Sequence, residues 1–356
     1  MIIEAFYLKG VRGLPIIDLN FLDSVTGQVR PRTVIAGSNG TGKSTILDAI
    51  HALTALVLNE QRQKPPVWLV SNGSETWVNL TEVPVGTTES RSLILYAVDQ
   101  KKSLSRANQG RPEYHGAITY GWTRRPQTEQ GYGPESKAIT WLRRRIQAVE
   151  QGDEGHDTLP NTLYFPAEDR ELQPKRKGQV IAEEDGYRWA YRFSDSQKWE
   201  GSLESFLVAM NYRDLLVQQE ARAGGSSFRQ FLKVINQFLD GKQIVGVDRK
   251  SFRIQVESDS GKKFDIDELS SGEKQIMLML GEIQRRIRKG SIVLIDEPEI
   301  HLHPGWQRLL VRALTDLCAE YDAQLIITTH SEEIANAVYE HELILLDAIF
   351  ALEMAA

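Results

Sequence analysis

The chain has 356 residues, of which 41% are hydrophobic, so it is long enough for one large α/β domain with insertions or for two modest domains. Its formal net charge of −6 excludes a global basic field for nucleic acid, although a local basic face remains open. The single cysteine, Cys318, excludes an intramolecular disulfide framework and a multi-cysteine metal site, and we expect it to pack in the core.

The beginning of the chain, Met1-Ile2-Ile3-Glu4, lacks the basic segment and the long apolar segment of a signal peptide. No apolar run reaches the roughly 18 residues that a membrane-spanning helix needs. We therefore expect a soluble, cytoplasmic protein without a membrane partner.

Residues 2–22 predict one or two edge strands around the turn Gly10-Val11-Arg12-Gly13. An apolar strand at Thr33–Ala36 and a helix containing Ile46–Ile50 come next. Between them, residues 37–44 read Gly-Ser-Asn-Gly-Thr-Gly-Lys-Ser, which is the spacing G-x-x-x-x-G-K-[ST] of a P-loop. Such a loop surrounds the α- and β-phosphates of a nucleotide with backbone N–H groups, and the helix N-terminus adds positive potential.

Within this loop, we expect Lys43 to reach the β- and γ-phosphates and the Ser44 hydroxyl to ligate Mg²⁺. The alternative is a glycine-rich turn that binds nothing, but eight correctly typed positions between a strand and a helix argue against it. A dinucleotide-binding fold would instead need G-x-G-x-x-G. The predicted nucleotide contacts of the loop are Ser38, Asn39, Gly40, Thr41, Gly42, Lys43, Ser44 and Thr45.

The polar, turn-rich region 60–133 predicts an antiparallel β layer with strands at Trp77–Val83, Ser92–Val98 and Ala117–Trp122. A helix over 136–150 follows and carries the basic run Arg143-Arg144-Arg145. A solvated helix face explains this run by default, and contact with nucleic acid is the alternative.

A short strand is predicted at Thr162–Phe165, and a charged connection follows it. Helical stretches over 202–219 and 228–239 predict a small helical insertion. Short strands at 244–248, 252–257 and 263–266 come before an alternation of helices (272–288, 305–320, 331–339) with strands (291–295, 324–328, 341–346). Such alternation is typical of a parallel sheet flanked by helices.

The apolar strand in this alternation ends in two acids, Asp296 and Glu297, which is the pattern of a Walker B strand. We expect Asp296 to hold the Mg²⁺ shell and Glu297 to polarise or deprotonate the attacking water. Two solvated carboxylates after a strand are the alternative, which the upstream P-loop makes weaker.

Three further segments surround this strand in the sequence. Leu269–Glu273 is an ordinary helix start when taken alone, with hydroxyl caps followed by an acid. Ile326–Ser331 predicts a strand that presents His330 at its end. Glu299–Pro304 holds two histidines at i and i+2, for which a metal site is a minor alternative because a third ligand is missing.

Taken in order, these motifs resemble the ABC-type ATPases over about residues 1–60 and 260–350. The run from Ile295 to Gln307 resembles the stand-alone AAA-type ATP-binding proteins near the overcoming-lysogenisation-defect nucleases and the Septu-type defence ATPases, and more distantly the RecF-like and Rad50-like heads. The resemblance implies an ABC-type P-loop fold, with an antiparallel β layer, a mainly parallel core sheet flanked by helices, and a helical insertion. It also implies ATP and Mg²⁺ as ligands.

By this resemblance, residues 270–273 are the signature motif, which completes the nucleotide site of a second protomer in an ATP-sandwiched dimer. Its residues are Ser270, Ser271, Gly272 and Glu273, where Ser271 and Glu273 replace the glycine and glutamine of the usual signature. His330 takes the position of the switch histidine, which senses or stabilises the γ-phosphate. Arg12 resembles a residue that approaches the nucleotide, with a surface arginine in a turn as an equal alternative. Gln173 is the candidate for the Q-loop glutamine.

We therefore expect an ATP-dependent dimerisation switch with an N-terminal ATPase lobe (1–180), a helical insertion (181–240) and a C-terminal ATPase lobe (241–356). The chain ends about 26 residues after His330, so a nuclease-like effector is expected to be a separate protein. The family implies control of nucleic-acid processing or anti-phage defence, and nucleic acid stays open as a ligand. The alternatives are an ATP-binding subunit of a membrane transporter, a RecF-like repair ATPase and a scaffold that seldom hydrolyses ATP.

Overall fold

The computed structural model describes residues 1–58, 65–71, 73–85, 89–99, 118–123, 137–152, 159–168, 186–193, 202–219, 227–248 and 250–355. In chain order its strands are β1 (Ile2–Lys9), β2 (Ile17–Asn20), β3 (Arg32–Ala36), β4 (Glu75–Val85), β5 (Glu89–Val98), β6 (Ile118–Thr123), β7 (Thr162–Phe165), β8 (Ala190–Arg192), β9 (Lys242–Val247), β10 (Ile254–Ser258), β11 (Lys263–Asp265), β12 (Ile292–Asp296), β13 (Gln324–Thr329) and β14 (Leu343–Leu345). The helices are α1 (Lys43–Ala55), α2 (Lys137–Glu150), α3 (Ser202–Gln219), α4 (Ser227–Ile235), α5 (Ser271–Arg286), α6 (Pro304–Glu320), α7 (Glu332–Ala335) and α8 (Leu346–Ala355).

A six-stranded sheet in the order β14-β3-β13-β12-β7-β8 forms the core, and every neighbouring pair in it is parallel. Alternate residues of β12 enter two different hydrophobic clusters, Ile292 and Leu294 on one face, and Val293 and Ile295 on the other. Both faces are therefore covered, as parallel strands require. Helix α1 and the second sheet cover one face, and helices α3 to α6 cover the other.

The second sheet has five strands in the order β2-β1-β4-β5-β6 and is the predicted β layer. Its pairs are antiparallel except β5 with β6, which run parallel. A third, three-stranded sheet, β11-β10-β9, is antiparallel throughout. The predicted α/β class, with a parallel core sheet, a largely antiparallel layer and flanking helices, is confirmed.

One predicted element differs from the structure, and two elements of the structure were not predicted. The helix expected over 331–339 is the single turn α7, which the Ser331 side chain caps by accepting from the N–H groups of Glu333 and Ile334. Strand β8 and helix α8 were not predicted. The β8 strand joins the core sheet from within the range 181–240, and the proposed domain boundaries stay a prediction.

Two further expectations concern the Q-loop glutamine and membrane-spanning helices. The Q-loop candidate Gln173 lies outside the described residues. Among the helices of the described part, none combines the length and the apolar character that crossing a membrane would take.

Candidate nucleotide site

The site begins with the topology of the core sheet, because β3, β13 and β12 are neighbours and parallel. The P-loop follows β3, Glu297 follows β12 and His330 follows β13. The carboxyl ends of parallel strands lie at the same edge of a sheet, which is where open α/β sheets bind ligands. Segments separated by almost 300 residues are thus brought to one edge.

The P-loop takes backbone conformations that favour glycine at two positions. Gly40 and Gly42 have φ angles of 86° and 88°, in the left-handed region. Gly42 is also the N-cap of α1, and a Cβ there would lie 2.6 Å from Cδ1 of Leu14. The Thr41 hydroxyl fixes the loop from inside by donating to the Ser38 carbonyl at 2.8 Å.

The Lys43 side chain is 4% exposed and crosses the loop. Its Nζ donates to the carbonyl oxygens of Gly37 and Ser38 at 2.9 and 3.0 Å. The same nitrogen lies 3.8 Å from Oε1 of Glu297. The structure therefore brings together the two charged groups that the sequence assigns to phosphate binding and to hydrolysis.

Asp296 closes β12 and is 2% exposed. Its Oδ1 accepts a hydrogen bond from the Thr328 hydroxyl at 2.5 Å, which fixes the carboxylate at the end of the sheet. Ser44 lies in the first turn of α1. Within the described residues, no group of three or more His, Cys, Asp or Glu side chains could hold a metal by itself. One carboxylate and one hydroxyl fit Mg²⁺, which keeps several waters and takes its other ligands from phosphates.

Glu297 has a strained backbone, with a φ of 47° that non-glycine residues seldom adopt. Its N–H donates to the Thr328 carbonyl at 2.9 Å, so the next core strand holds this conformation. One carboxylate oxygen lies near Lys43, and the other lies 3.5 Å from Nδ1 of His330. Glu297 is therefore fixed between a buried ammonium and a half-exposed imidazole.

Glu299 is a member of this site that the sequence did not single out. Its Oε1 accepts from the Thr329 hydroxyl at 2.7 Å and from the His330 N–H at 2.9 Å. The same oxygen lies 3.2 Å from Nδ1 of His330, and the residue is 5% exposed. The available signal was a second acid two positions after Glu297.

A second missed residue, Asp347, contacts the P-loop from the start of α8. Its carboxylate accepts from the Ser38 N–H at 2.9 Å and from the Ser38 hydroxyl at 2.7 Å. These two hydrogen bonds, with Lys43 nearby, lower the pKa of Asp347 below its ordinary value. An anion thus lies beside the loop that is predicted to bind phosphates.

The predicted signature begins helix α5 and forms a capping box. The Glu273 Oε2 accepts from both the N–H and the hydroxyl of Ser270 at 2.8 Å, and Lys242 Nζ lies 2.9 Å from it. Ser270 and Ser271 are exposed, and the recorded contacts of Ser270 are with its own helix. A Cβ on Gly272 would lie 3.0 Å from the His301 carbonyl oxygen, so a side chain here would require the neighbouring backbone to shift. Within the described residues, Ser270 makes no hydrogen bond to the P-loop of its own chain.

Arg12 lies beside the P-loop helix, with a φ of 51°. Its Nη1 donates to the Thr45 hydroxyl at 3.2 Å, and its guanidinium lies 4.1 Å from the centre of the Trp68 ring. Arg12 therefore lies beside the first turn of α1 with its side chain 43% exposed, and its approach to a nucleotide stays a prediction. The Asp48 carboxylate lies between two arginines, with Oδ2 3.9 Å from Nη1 of Arg12 and Oδ1 2.6 Å from Nη1 of Arg192.

Arg12, Asp48, Trp68 and Arg192 line a cavity of about 420 Å³ along one side of α1. His51 lines the same cavity. The His51 ring keeps some exposed edge, but its Nε2 is buried and has no hydrogen-bond partner among the described residues. Desolvation, assisted by the positive charge of Arg192, lowers the pKa of His51 to about 4. The imidazole is therefore neutral at physiological pH.

Comparisons with known proteins found a matching family, similar sequences and similar structures. The family described as "AAA domain, putative AbiEii toxin, Type IV TA system" matches residues 192–336. The Septu protein PtuA of Bacillus thuringiensis is 30% identical, over 97% of this chain and 76% of that protein. The Retron Vc95 probable ATPase of Vibrio cholerae serotype O1 biovar El Tor is 20% identical, over 91% of this chain and 70% of that protein.

Among solved structures, the Smc head bound to the C-winged helix domain of ScpA has a TM-score of 0.49 with this chain. The two are 11% identical, and the match covers 95% of this chain and 93% of that chain.

Proposed function

The chain belongs to the family of the Septu protein PtuA, and from this premise we propose that its ATPase site works as a dimerisation switch. In this proposal ATP binds at the P-loop and closes two heads on one another, and hydrolysis reopens them. The observation that carries the proposal is the convergence of Lys43, Glu297 and His330 at the ends of three adjacent strands.

For ATP binding, Lys43 leaves the carbonyl oxygens of the loop and pairs with the β- and γ-phosphates. The N–H groups of residues 38–45 supply the remaining phosphate contacts, and Arg12 reaches the nucleotide from beside Thr45. Ser44 and Asp296 would hold Mg²⁺, which supplies charge neutralisation at the phosphates when it is bound.

For hydrolysis, Glu297 accepts a proton from the attacking water or orients that water. Its strained backbone fixes the carboxylate, so little reorganisation is needed at the moment of reaction. His330 contributes a hydrogen bond to the γ-phosphate from the neighbouring strand.

The proposed dimer is supported by the predicted signature motif. Ser270 caps a 16-residue helix that begins with Ser271, Gly272 and Glu273, and the helix N-terminus favours an anion. The two serines are exposed, whereas Gly272 and Glu273 are buried. In the proposal these residues complete the partner's nucleotide site. The Ser270 hydroxyl then turns from Glu273 to the γ-phosphate, and Lys242 keeps Glu273 neutralised.

The switch is proposed to act on a separate, nuclease-like effector, with nucleic acid as a further ligand, in anti-phage defence. The resemblance to Septu-type ATPases supports this part. Candidate effectors can be tested by adding them to the ATPase assay, since a true partner is expected to change the turnover rate.

The experiment compares the wild type with Glu297→Gln, which keeps the size and the hydrogen-bonding capacity of the side chain but removes its negative charge. The variant is expected to bind ATP, to hydrolyse it at least about a hundredfold more slowly and to accumulate ATP-bound dimers. Light scattering measures the mass with and without ATP.

A crosslink then tests the geometry of the dimer. Cysteines introduced at Ser270 and at the exposed Asn39 are expected to join two protomers only when ATP is bound. The native Cys318 gives little background, because it is buried and burial raises its thiol pKa to about 12. An unchanged mass together with no crosslink between protomers would contradict the switch.

A further inference from the structure

The Glu299 carboxylate lies behind His330, on the side away from solvent. The carboxylate is 4% exposed, whereas the His330 side chain is 48% exposed. A single oxygen, Oε1, accepts from the Thr329 hydroxyl and from the His330 backbone N–H, and lies 3.2 Å from the imidazole Nδ1. Glu299 therefore contacts both the backbone and the ring of His330, the residue that follows β13.

Two carboxylates compete for the same imidazole nitrogen. Nδ1 of His330 lies 3.2 Å from Glu299 and 3.5 Å from Glu297. Because an ionised carboxylate only accepts hydrogen bonds, these distances favour the tautomer with the proton on Nδ1, which leaves Nε2 for another partner.

We propose that Glu299 is the positioning residue for His330 in the ATPase reaction, an inference that rests on the proposed function. By holding the Nδ1 proton, Glu299 fixes the tautomer of the ring and presents Nε2 to the γ-phosphate. It also keeps His330 from pairing fully with Glu297, whose carboxylate stays available to the attacking water.

The negative charge of Glu299 separates the positioning role from that of a neutral hydrogen-bond acceptor between Thr329 and the His330 backbone. The other oxygen, Oε2, is buried and has no hydrogen-bond partner among the described residues. Burying an unpaired carboxylate oxygen costs free energy, and a glutamine would supply the same Oε1 acceptor to Thr329 and to the backbone without the charge. What glutamine cannot supply is the negative charge facing the imidazole.

The test is a double-mutant cycle of Glu299→Gln and His330→Ala, read as kcat and KM for ATP. Glu299→Gln is expected to lower kcat about tenfold with KM changed by less than about twofold. In the His330→Ala background the same change is expected to have no further effect on kcat, because the residue acts through the ring. The matched control, Glu333→Gln, removes a partly exposed carboxylate paired with Arg308 and should leave kcat unchanged.

Equal losses from Glu299→Gln in both backgrounds would overturn the positioning role, since they would show a structural effect independent of His330. Unchanged kcat in the single Glu299→Gln variant would overturn it as well. Full activity of His330→Ala would instead remove His330 from the proposed function itself, which separates the two failures.

A second measurement uses the wild-type protein and does not depend on any glutamine variant folding. Nitrogen NMR of ¹⁵N-labelled histidines, with the His330 signal assigned by its loss in His330→Ala, reports which ring nitrogen carries the proton. A protonated Nδ1 supports the proposal, and a ring protonated only at Nε2 overturns it.

Discussion

His51, whose ring nitrogen Nε2 is buried, makes the stability of this fold depend on pH. Its pKa is about 4 in the fold and 6.5 in the ordinary, solvated state. The unfolded chain therefore takes up a proton first as the pH falls. The contribution of His51 to stability is fully present above about pH 6.5 and is lost as the pH falls towards about 4.

Linkage gives the size of this effect. With these two pKa values, lowering the pH from about 7.5 to about 5 removes about 2 kcal/mol of unfolding free energy through His51 alone. We expect His51→Gln to abolish this contribution, because glutamine does not titrate. Urea unfolding of both proteins at the two pH values measures the difference, in which the titration of the other groups cancels.

A second variant, His51→Asn, also removes the titrating ring. It is expected to show the same reduced loss of stability between the two pH values as His51→Gln. If the His51→Gln protein lost as much as the wild type, the imidazole would not be held neutral by its surroundings, and the reasoning would be refuted.

Three further changes test the nucleotide site. Lys43→Ala removes the phosphate-binding cation and is expected to abolish ATP binding, so an undiminished affinity in calorimetry would contradict the P-loop assignment. Gly42→Ala places a side chain at a φ of 88° and is expected to cost about 1–2 kcal/mol in a denaturant titration, where an unchanged midpoint would argue against this loop geometry. Asp347→Asn removes an anion from Ser38 and should tighten ATP binding about threefold at low salt, with the gain disappearing at high salt. A gain that persisted at high salt would show that charge is not its cause.

The parts of the site that the sequence predicted are those written in one continuous segment. The P-loop lies between its strand and its helix within residues 33–55, and the acids Asp296 and Glu297 directly follow their strand. In such segments the local backbone fixes the side chains, so spacing alone identifies them.

Contacts between residues far apart in the chain could not be predicted from the sequence. Asp347 reaches Ser38 only because β14 pairs with β3, and no local pattern connects residues 309 positions apart. Strand β8 escaped prediction because three residues are too few to show an alternating pattern. The parallel direction of β6 was likewise unreadable, since strand propensity does not encode direction.

The close approach of Gly272 to the His301 carbonyl has a mechanical consequence. The side chains of Leu302 and Trp306 also approach this glycine, so the loop after β12 packs closely against the first turn of α5. A shift of the loop that carries Glu297, Glu299 and His301 is therefore expected to displace the first turn of α5. If the proposed dimer forms, a displacement at the nucleotide site would thereby reach the helix start that carries the predicted signature.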